Sequence, residues 1–195
     1  MDRILITGGA GFIGSHFVKR LLRGASTHVT VLDALTYAGH RANLGKALAC
    51  PRLTFVEGNV LDAALVDELV SHHDAIVHFA AESHVDRSFY AAGAFLSTNV
   101  VGTHTLVEAA ARHGVERFVH VSTDEVYGPW VTGEATERAL LAPTVPYAAS
   151  KAAGDLVALT YHRTFGVPVC VTRSSNNYGP ASTPRRSSRY SSPAC

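Results

Sequence analysis

Sulfur is scarce in this chain. Its 195 residues hold three cysteines (Cys50, Cys170 and Cys195) and one methionine. The cysteines are odd in number and lack metal-ligand spacing, which argues against a disulfide framework and suits reduced thiols. Histidines are more plentiful, but His72-His73 and the isolated His78, His84 and His104 make no HExxH pattern, so no metal site is expected. Long apolar runs are also missing. None approaches the about 18 residues of a membrane helix, and no signal-peptide pattern precedes the first strand. The expected location is the cytoplasm, with no membrane partner. Acids are absent from the last fifteen residues, which hold Arg185, Arg186 and Arg189. Three of the 17 basic groups lie there; the other 14 face 16 acids, a net charge of −2 that gives no electrostatic case for nucleic acid.

What remains is an ordinary globular composition, 47% hydrophobic and 17% charged, long enough for one well-buried domain. Arg3-Ile4-Leu5-Ile6-Thr7 reads as a buried parallel strand that stops at glycine. Gly8-Gly9-Ala10-Gly11-Phe12-Ile13-Gly14 follows. Phe12, Ile13, Phe17, Val18, Leu21 and Leu22 then recur at helical spacing. Strand, glycine loop and helix is the setting of a dinucleotide fingerprint. Small residues let the backbone approach a pyrophosphate, and the helix N-terminus supplies free N–H groups. The spacing is GxxGxxG. Asp33 ends the second strand (28–32), where a carboxylate binds adenosine ribose hydroxyls and repels a 2′-phosphate, favouring NAD over NADP.

Further strands are expected at 53–57, 75–79, 117–121 and 167–172. Helices are expected at Leu65 to Val70 with Asp62 as N-cap, from about Phe95 to Arg112, and from Tyr147 onward through Leu156, Leu159 and Tyr161. This alternation gives an α/β, doubly wound parallel sheet, a Rossmann fold. A loop at 133–146 is longer than usual, a feature of segments that cover sites.

The strand at 117–121 runs into Ser122-Thr123-Asp124-Glu125-Val126-Tyr127-Gly128. Adjacent carboxylates at a strand end are costly unless solvated, paired or used, and ligands sit at the carboxyl ends of such strands. Asp124 and Glu125 would therefore act beside a nicotinamide as acid and base. In a regular strand they would face opposite sides, so the strand must break there for both to reach one substrate. Tyr147 and Lys151 are four apart on one helix face. The ammonium favours the phenolate, which can then take a proton from a sugar hydroxyl while hydride leaves for NAD.

Taken together, Gly8 to Gly14, Asp33, Thr123 and Tyr147 with Lys151 resemble the extended short-chain dehydrogenase/reductase family. Thr123-Asp124-Glu125-Val126-Tyr127-Gly128, Leu35-Thr36-Tyr37-Ala38-Gly39, Ala81-Glu82-Ser83-His84-Val85-Asp86-Arg87-Ser88 and Ser175-Asn176-Asn177-Tyr178-Gly179-Pro180 are similar to its branch that dehydrates dTDP-glucose. The resemblance implies tightly bound NAD and a cycle of oxidation at C4, loss of water across C5 and C6, and reduction at C6. Tyr147 would be the first base, assisted by Lys151, and Thr123 would hold the C4 oxygen. Glu125 would remove the C5 proton while Asp124 protonates the departing hydroxyl. The cofactor would be held by Gly8, Gly11, Phe12, Ile13, Gly14, Asp33, Ala34, Leu35, Thr36, Asn59, Val60, Phe79, Ala80, Ala81, Glu82, Ser83, Thr98, Tyr147, Lys151 and Asn177. Ser83, Thr123 and Asn176 would touch the nucleotide sugar. Asn59 stands where the family has an acid, and Ala148 where it has serine. A homodimer through the helices at about 95–112 and 147–165 is implied by the same likeness.

The resemblance runs to Pro180. The expected organisation is a domain at 1–180 and a tail at 181–195 of disordered composition, with the family's substrate domain missing. Codons that permit this tail, read one nucleotide out of step, can spell Gln-His-Pro-Glu-Lys-Val-Ile-Pro-Leu-Leu, which is similar to the family's continuation; a frameshift is the expectation. Two other readings stand beside dehydration: a nucleotide-sugar epimerase or decarboxylase of the same family, and an NAD-binding fragment without catalysis.

Overall fold

The computed structural model describes residues 1–24, 26–129, 133 and 135–179. Six parallel strands form one sheet: β1 (Arg3–Thr7), β2 (His28–Asp33), β3 (Leu53–Glu57), β4 (Ala75–His78), β5 (Arg117–Thr123) and β6 (Val169–Ser174). Their spatial order is β3-β2-β1-β4-β5-β6. The chain winds outward from β1 to β3, returns beside β1 as β4, and winds outward again. That reversal is a topological switch, and it opens a crevice beyond the carboxyl ends of β1 and β4.

The pleat explains the apolar runs. Leu5 and Ile6 are both fully buried but face opposite sides of the sheet. Leu5 joins Leu32, Ile76 and Phe118 in a cluster with α2 (Ala63–Ser71) and α5 (Gly102–His113). Ile6 joins Val31 and Val77, which are also its register partners, in a second cluster with Val18 of α1 (Phe12–Arg23). Covered on both faces, the central strands carry no polar alternation. Asp62 caps α2 as expected, its carboxylate accepting from the Leu65 N–H at 3.1 Å.

Three expectations shift. The ladder of the last strand begins at Val169, two residues late, because Pro168 has no N–H; its carbonyl instead accepts from Phe118 N–H at 2.9 Å. The expected helix from Phe95 to Arg112 is composite: α3 (Val85–Ser88) precedes α4 (Ala92–Leu96), which passes through a π turn at Ser97–Val101 into α5. In α6 (Pro146–Phe165), Leu156 is 55% exposed, and the buried face carries Ala148, Lys151, Ala152, Asp155 and Ala158. The tail and the frameshift expectation lie outside the described residues.

Candidate active site

At the end of β1, Gly8 adopts φ +69°, and its N–H donates to Leu32 O at 2.9 Å. A methyl group there would strike the backbone of Ala80, and one on Gly14 would strike the Gly8 carbonyl. The loop and α1 therefore approach closely only as glycine. Gly11 is the N-cap of α1, with no side-chain cap and no acid in the first turn, where Phe12, Ile13 and Gly14 lie. Its positive end is left for an outside anion.

Asp33 at the end of β2 is buried, and its carboxylate accepts from Ala10 N–H at 2.8 Å and Leu35 N–H at 2.9 Å. It thus ties the glycine loop to the next segment. Leu35 is held at φ +50°, a strained value for a non-glycine residue and one found at ligand clamps. Ala34 and Thr36 beside it are exposed. From β4 the chain continues through half-buried Phe79, Ala80, Ala81, Glu82 and Ser83. Ser83 N–H donates to the Tyr37 hydroxyl at 3.1 Å, joining the segments that follow β2 and β4. Asn59 accepts from Leu61 N–H through its side chain at 3.0 Å. Val60 is 4% exposed and packs its side chain in the core, so a cofactor contact there falls to its backbone.

On the other side of the crevice β5 ends at Thr123, and Asp124–Tyr127 form a 3-10 turn. The strand breaks where the paired acids required it. The Thr123 hydroxyl caps the turn, accepting from Glu125 N–H at 3.2 Å, and itself donates to Asp124 Oδ1 at 3.3 Å. Asp124 is exposed, Glu125 half-buried. Pro146 opens α6, where its missing N–H costs nothing, and half-buried Tyr147 follows. One turn on, Lys151 is buried and donates to Val121 O at 2.7 Å, which pins α6 to β5. Burial lowers the Lys151 pKa to about 8. Thr98 is half-buried in the π turn, while Asn176 and Asn177 are exposed beyond β6, Asn177 donating to Ser174 Oγ at 3.2 Å.

Sequence reasoning missed the polar groups beneath this surface. Asn99 of the π turn accepts from Glu82 N–H at 2.8 Å and donates to Glu82 O at 3.0 Å and to Ser150 Oγ at 2.8 Å. His78 Nδ1 lies 2.7 Å from the Thr7 hydroxyl and Nε2 lies 3.1 Å from that of Thr103. Thr103 donates its own proton to Asn99 O, so it accepts from Nε2–H. The His120 ring lies tilted against that of His78, centroids 5.3 Å apart, and its Nε2 lies 3.3 Å from Asp155 Oδ1, too poorly aligned for a full hydrogen bond. Burial drives both imidazoles toward the neutral form: His78 falls well below its ordinary pKa, and His120 falls to about 4. Burial raises the Asp155 pKa, but contacts with His120, Ser122 and Arg173 outweigh it and leave the net shift downward. A helix face of alanines interrupted by Lys151 and Asp155 at four-residue spacing was the available signal.

The uncapped helix end, the glycine cradle that a side chain would fill and the carboxylate of Asp33 are the donor and acceptor set a dinucleotide requires. Among the described residues no cluster of histidine, cysteine or acid could hold a metal, and no helix is long and apolar enough to cross a membrane.

Known proteins align with this arrangement. The family model described as GDP-mannose 4,6 dehydratase matches residues 5–191. A dTDP-glucose 4,6-dehydratase of Streptomyces niveus is 56% identical over 189 residues, covering 94% of this chain and 56% of that protein. The crystal structure of DesIV, a dTDP-glucose 4,6-dehydratase from Streptomyces venezuelae with NAD and TYD bound, has a TM-score of 0.89 at 58% identity, covering 91% of this chain and 57% of that one. UDP-glucuronic acid 4-epimerase from Bacillus cereus in complex with NAD shares the fold at TM-score 0.84 and 30% identity, covering 91% of this chain and 57% of that one. The chain spans just over half the length of the curated relatives it matches.

Proposed function

This chain belongs to the GDP-mannose 4,6 dehydratase family, and on that premise we propose that it holds NAD and carries the catalytic groups of a dTDP-glucose 4,6-dehydratase. The product would be dTDP-4-keto-6-deoxyglucose, with water released and no net oxidation. The observation that carries this reading is one juxtaposition. The Thr123-Asp124-Glu125 turn and the Tyr147–Lys151 face of α6 are tied together at the carboxyl end of β5 by the Lys151 bond to Val121 O.

Gly8, Gly11, Gly14 and the first turn of α1 would hold the pyrophosphate, and Asp33 the ribose. When bound, NAD supplies a hydride acceptor that later serves as the donor. Tyr147 takes the proton of the C4 hydroxyl, with buried Lys151 favouring its phenolate and Thr123 orienting the oxygen. The resulting 4-keto group acidifies the C5 proton. Glu125 removes that proton while Asp124 gives one to the departing C6 hydroxyl, so water leaves. A proton then returns to C5 from Glu125 as hydride reaches C6. Elimination needs one neutral and one ionised carboxyl group, and the turn presents two at adjacent positions.

We place the protein in the cytoplasm as a homodimer. Leu96, Val101 and Leu156 are more than half exposed along the helical layer of α4 to α6, apolar surface that a second copy would cover. Incubation with dTDP-glucose and NAD, followed by detection of the keto sugar in alkali, tests the activity. A 6-deoxy keto product supports it. An epimerised sugar that keeps its 6-hydroxyl would favour the epimerase reading, to which the shared fold lends weight. NAD binding by calorimetry with no sugar product would favour a cofactor-holding module.

A further inference from the structure

Arg173 lies on β6, outside every group given a role above, and its guanidinium reaches two other elements. Nε donates to Asp155 Oδ2 at 2.8 Å, and Nη1 donates to the Tyr127 hydroxyl at 2.8 Å. Asp155 is completely buried, Tyr127 is 8% exposed and the Arg173 side chain 13%. Asp155 sits one helical turn beyond Lys151 on α6. Tyr127 closes the 3-10 turn that carries Asp124 and Glu125. The helix bearing the first base and the turn bearing the acid pair are therefore joined through a single side chain of a third element.

A guanidinium is planar, and its donors diverge at fixed angles, so it holds two acceptors in one mutual geometry. An ammonium has no such fork. A buried ion pair is a poor way to gain stability, since apolar groups of equal volume do as well or better. What the pair supplies here is registration between two elements.

We propose that Arg173, with Tyr127 and Asp155, is a positioning set that keeps the Asp124-Glu125 turn in register with Tyr147 and Lys151. The inference rests on the dehydratase reading. Oxidation at C4 draws on Tyr147 and Lys151. Thr123, which orients the C4 oxygen, is the last residue of β5 and is registered on α6 by the Lys151 bond to Val121 O. Elimination across C5 and C6 also draws on the acids of the turn beyond it, so it depends in addition on the placement of that turn against the helix.

The test uses Tyr127→Phe, which removes only a hydroxyl, and Arg173→Lys, which keeps the charge and loses the fork. In single turnovers with dTDP-glucose, both variants should accumulate NADH together with a 4-keto sugar that retains its 6-hydroxyl. Water loss should slow by about 100-fold, the order expected for a misplacement near 1 Å, with KM and the rate of NADH formation close to the parent's. If oxidation and water loss slow together, or neither changes, the proposal is overturned. If the parent itself never dehydrates the sugar, the dehydratase reading fails separately. Hydrogen exchange of the Glu125 and Gly128 amides, bonded to Thr123 Oγ1 and Glu125 O, then decides the clamp. Protection lost at these two sites in both variants, with β5 unaffected, upholds it; unchanged protection overturns it.

Discussion

Tyr147 stands one turn before Lys151, whose ammonium is buried against a β5 carbonyl. Tyr147→Phe should lower formation of the keto sugar by about 10²–10⁴-fold, the span of general acid–base catalysis, while calorimetry still shows NAD bound. His120 gives a prediction of stability. Its pKa is about 4 in the fold against 6.5 when free. Between these values the unfolded chain binds more protons, so stability falls as pH drops through that window and this group adds no further loss below it. A shift of that size corresponds to roughly 3 kcal/mol. Urea unfolding at neutral pH and near pH 4.5 should show a smaller loss in His120→Asn than in the parent, with His78 accounting for part of what remains. The sequence displayed Tyr147, Lys151 and the acid pair because their spacing is local. It hid His120 and Asp155, which meet only when α6 lies across β5, and whose residue types are ordinary in any helix or strand.

At the scale of elements, the π turn at Ser97–Val101 brings Asn99 to both backbone groups of Glu82. Apolar periodicity located the helix but could not reveal this turn, because one widened turn leaves Leu106 and Val107 in helical phase. Asn99→Ala would strip three hydrogen bonds and leave both backbone groups of half-buried Glu82 without this partner, at about 1–3 kcal/mol for such groups. Thermal unfolding should shift downward, and exchange of the Glu82 amide should accelerate. The glycine loop was legible because its constraint is steric and local. Gly14→Ala places a methyl against the Gly8 carbonyl, forcing loop and α1 apart. Calorimetry should then show NAD binding weakened by at least tenfold, about 1.4 kcal/mol.

Across the whole molecule, the doubly wound parallel sheet was legible in the alternation of strands and helices, whereas the order β3-β2-β1-β4-β5-β6 was not, because alternation and right-handed crossovers are obeyed by more than one order. The buried polar layer under the crevice was not legible either, since it is assembled from β1, β4, β5, β6 and α6 at once. The central claim is that the C6 hydroxyl leaves once C4 has become a ketone, and that the hydride taken from C4 ends at C6. dTDP-glucose deuterated at C4 tests this most directly, with the position of the label followed by NMR. The account predicts deuterium at C6 of a 4-keto-6-deoxy sugar. Deuterium returned to C4, with the 6-hydroxyl intact, would contradict it.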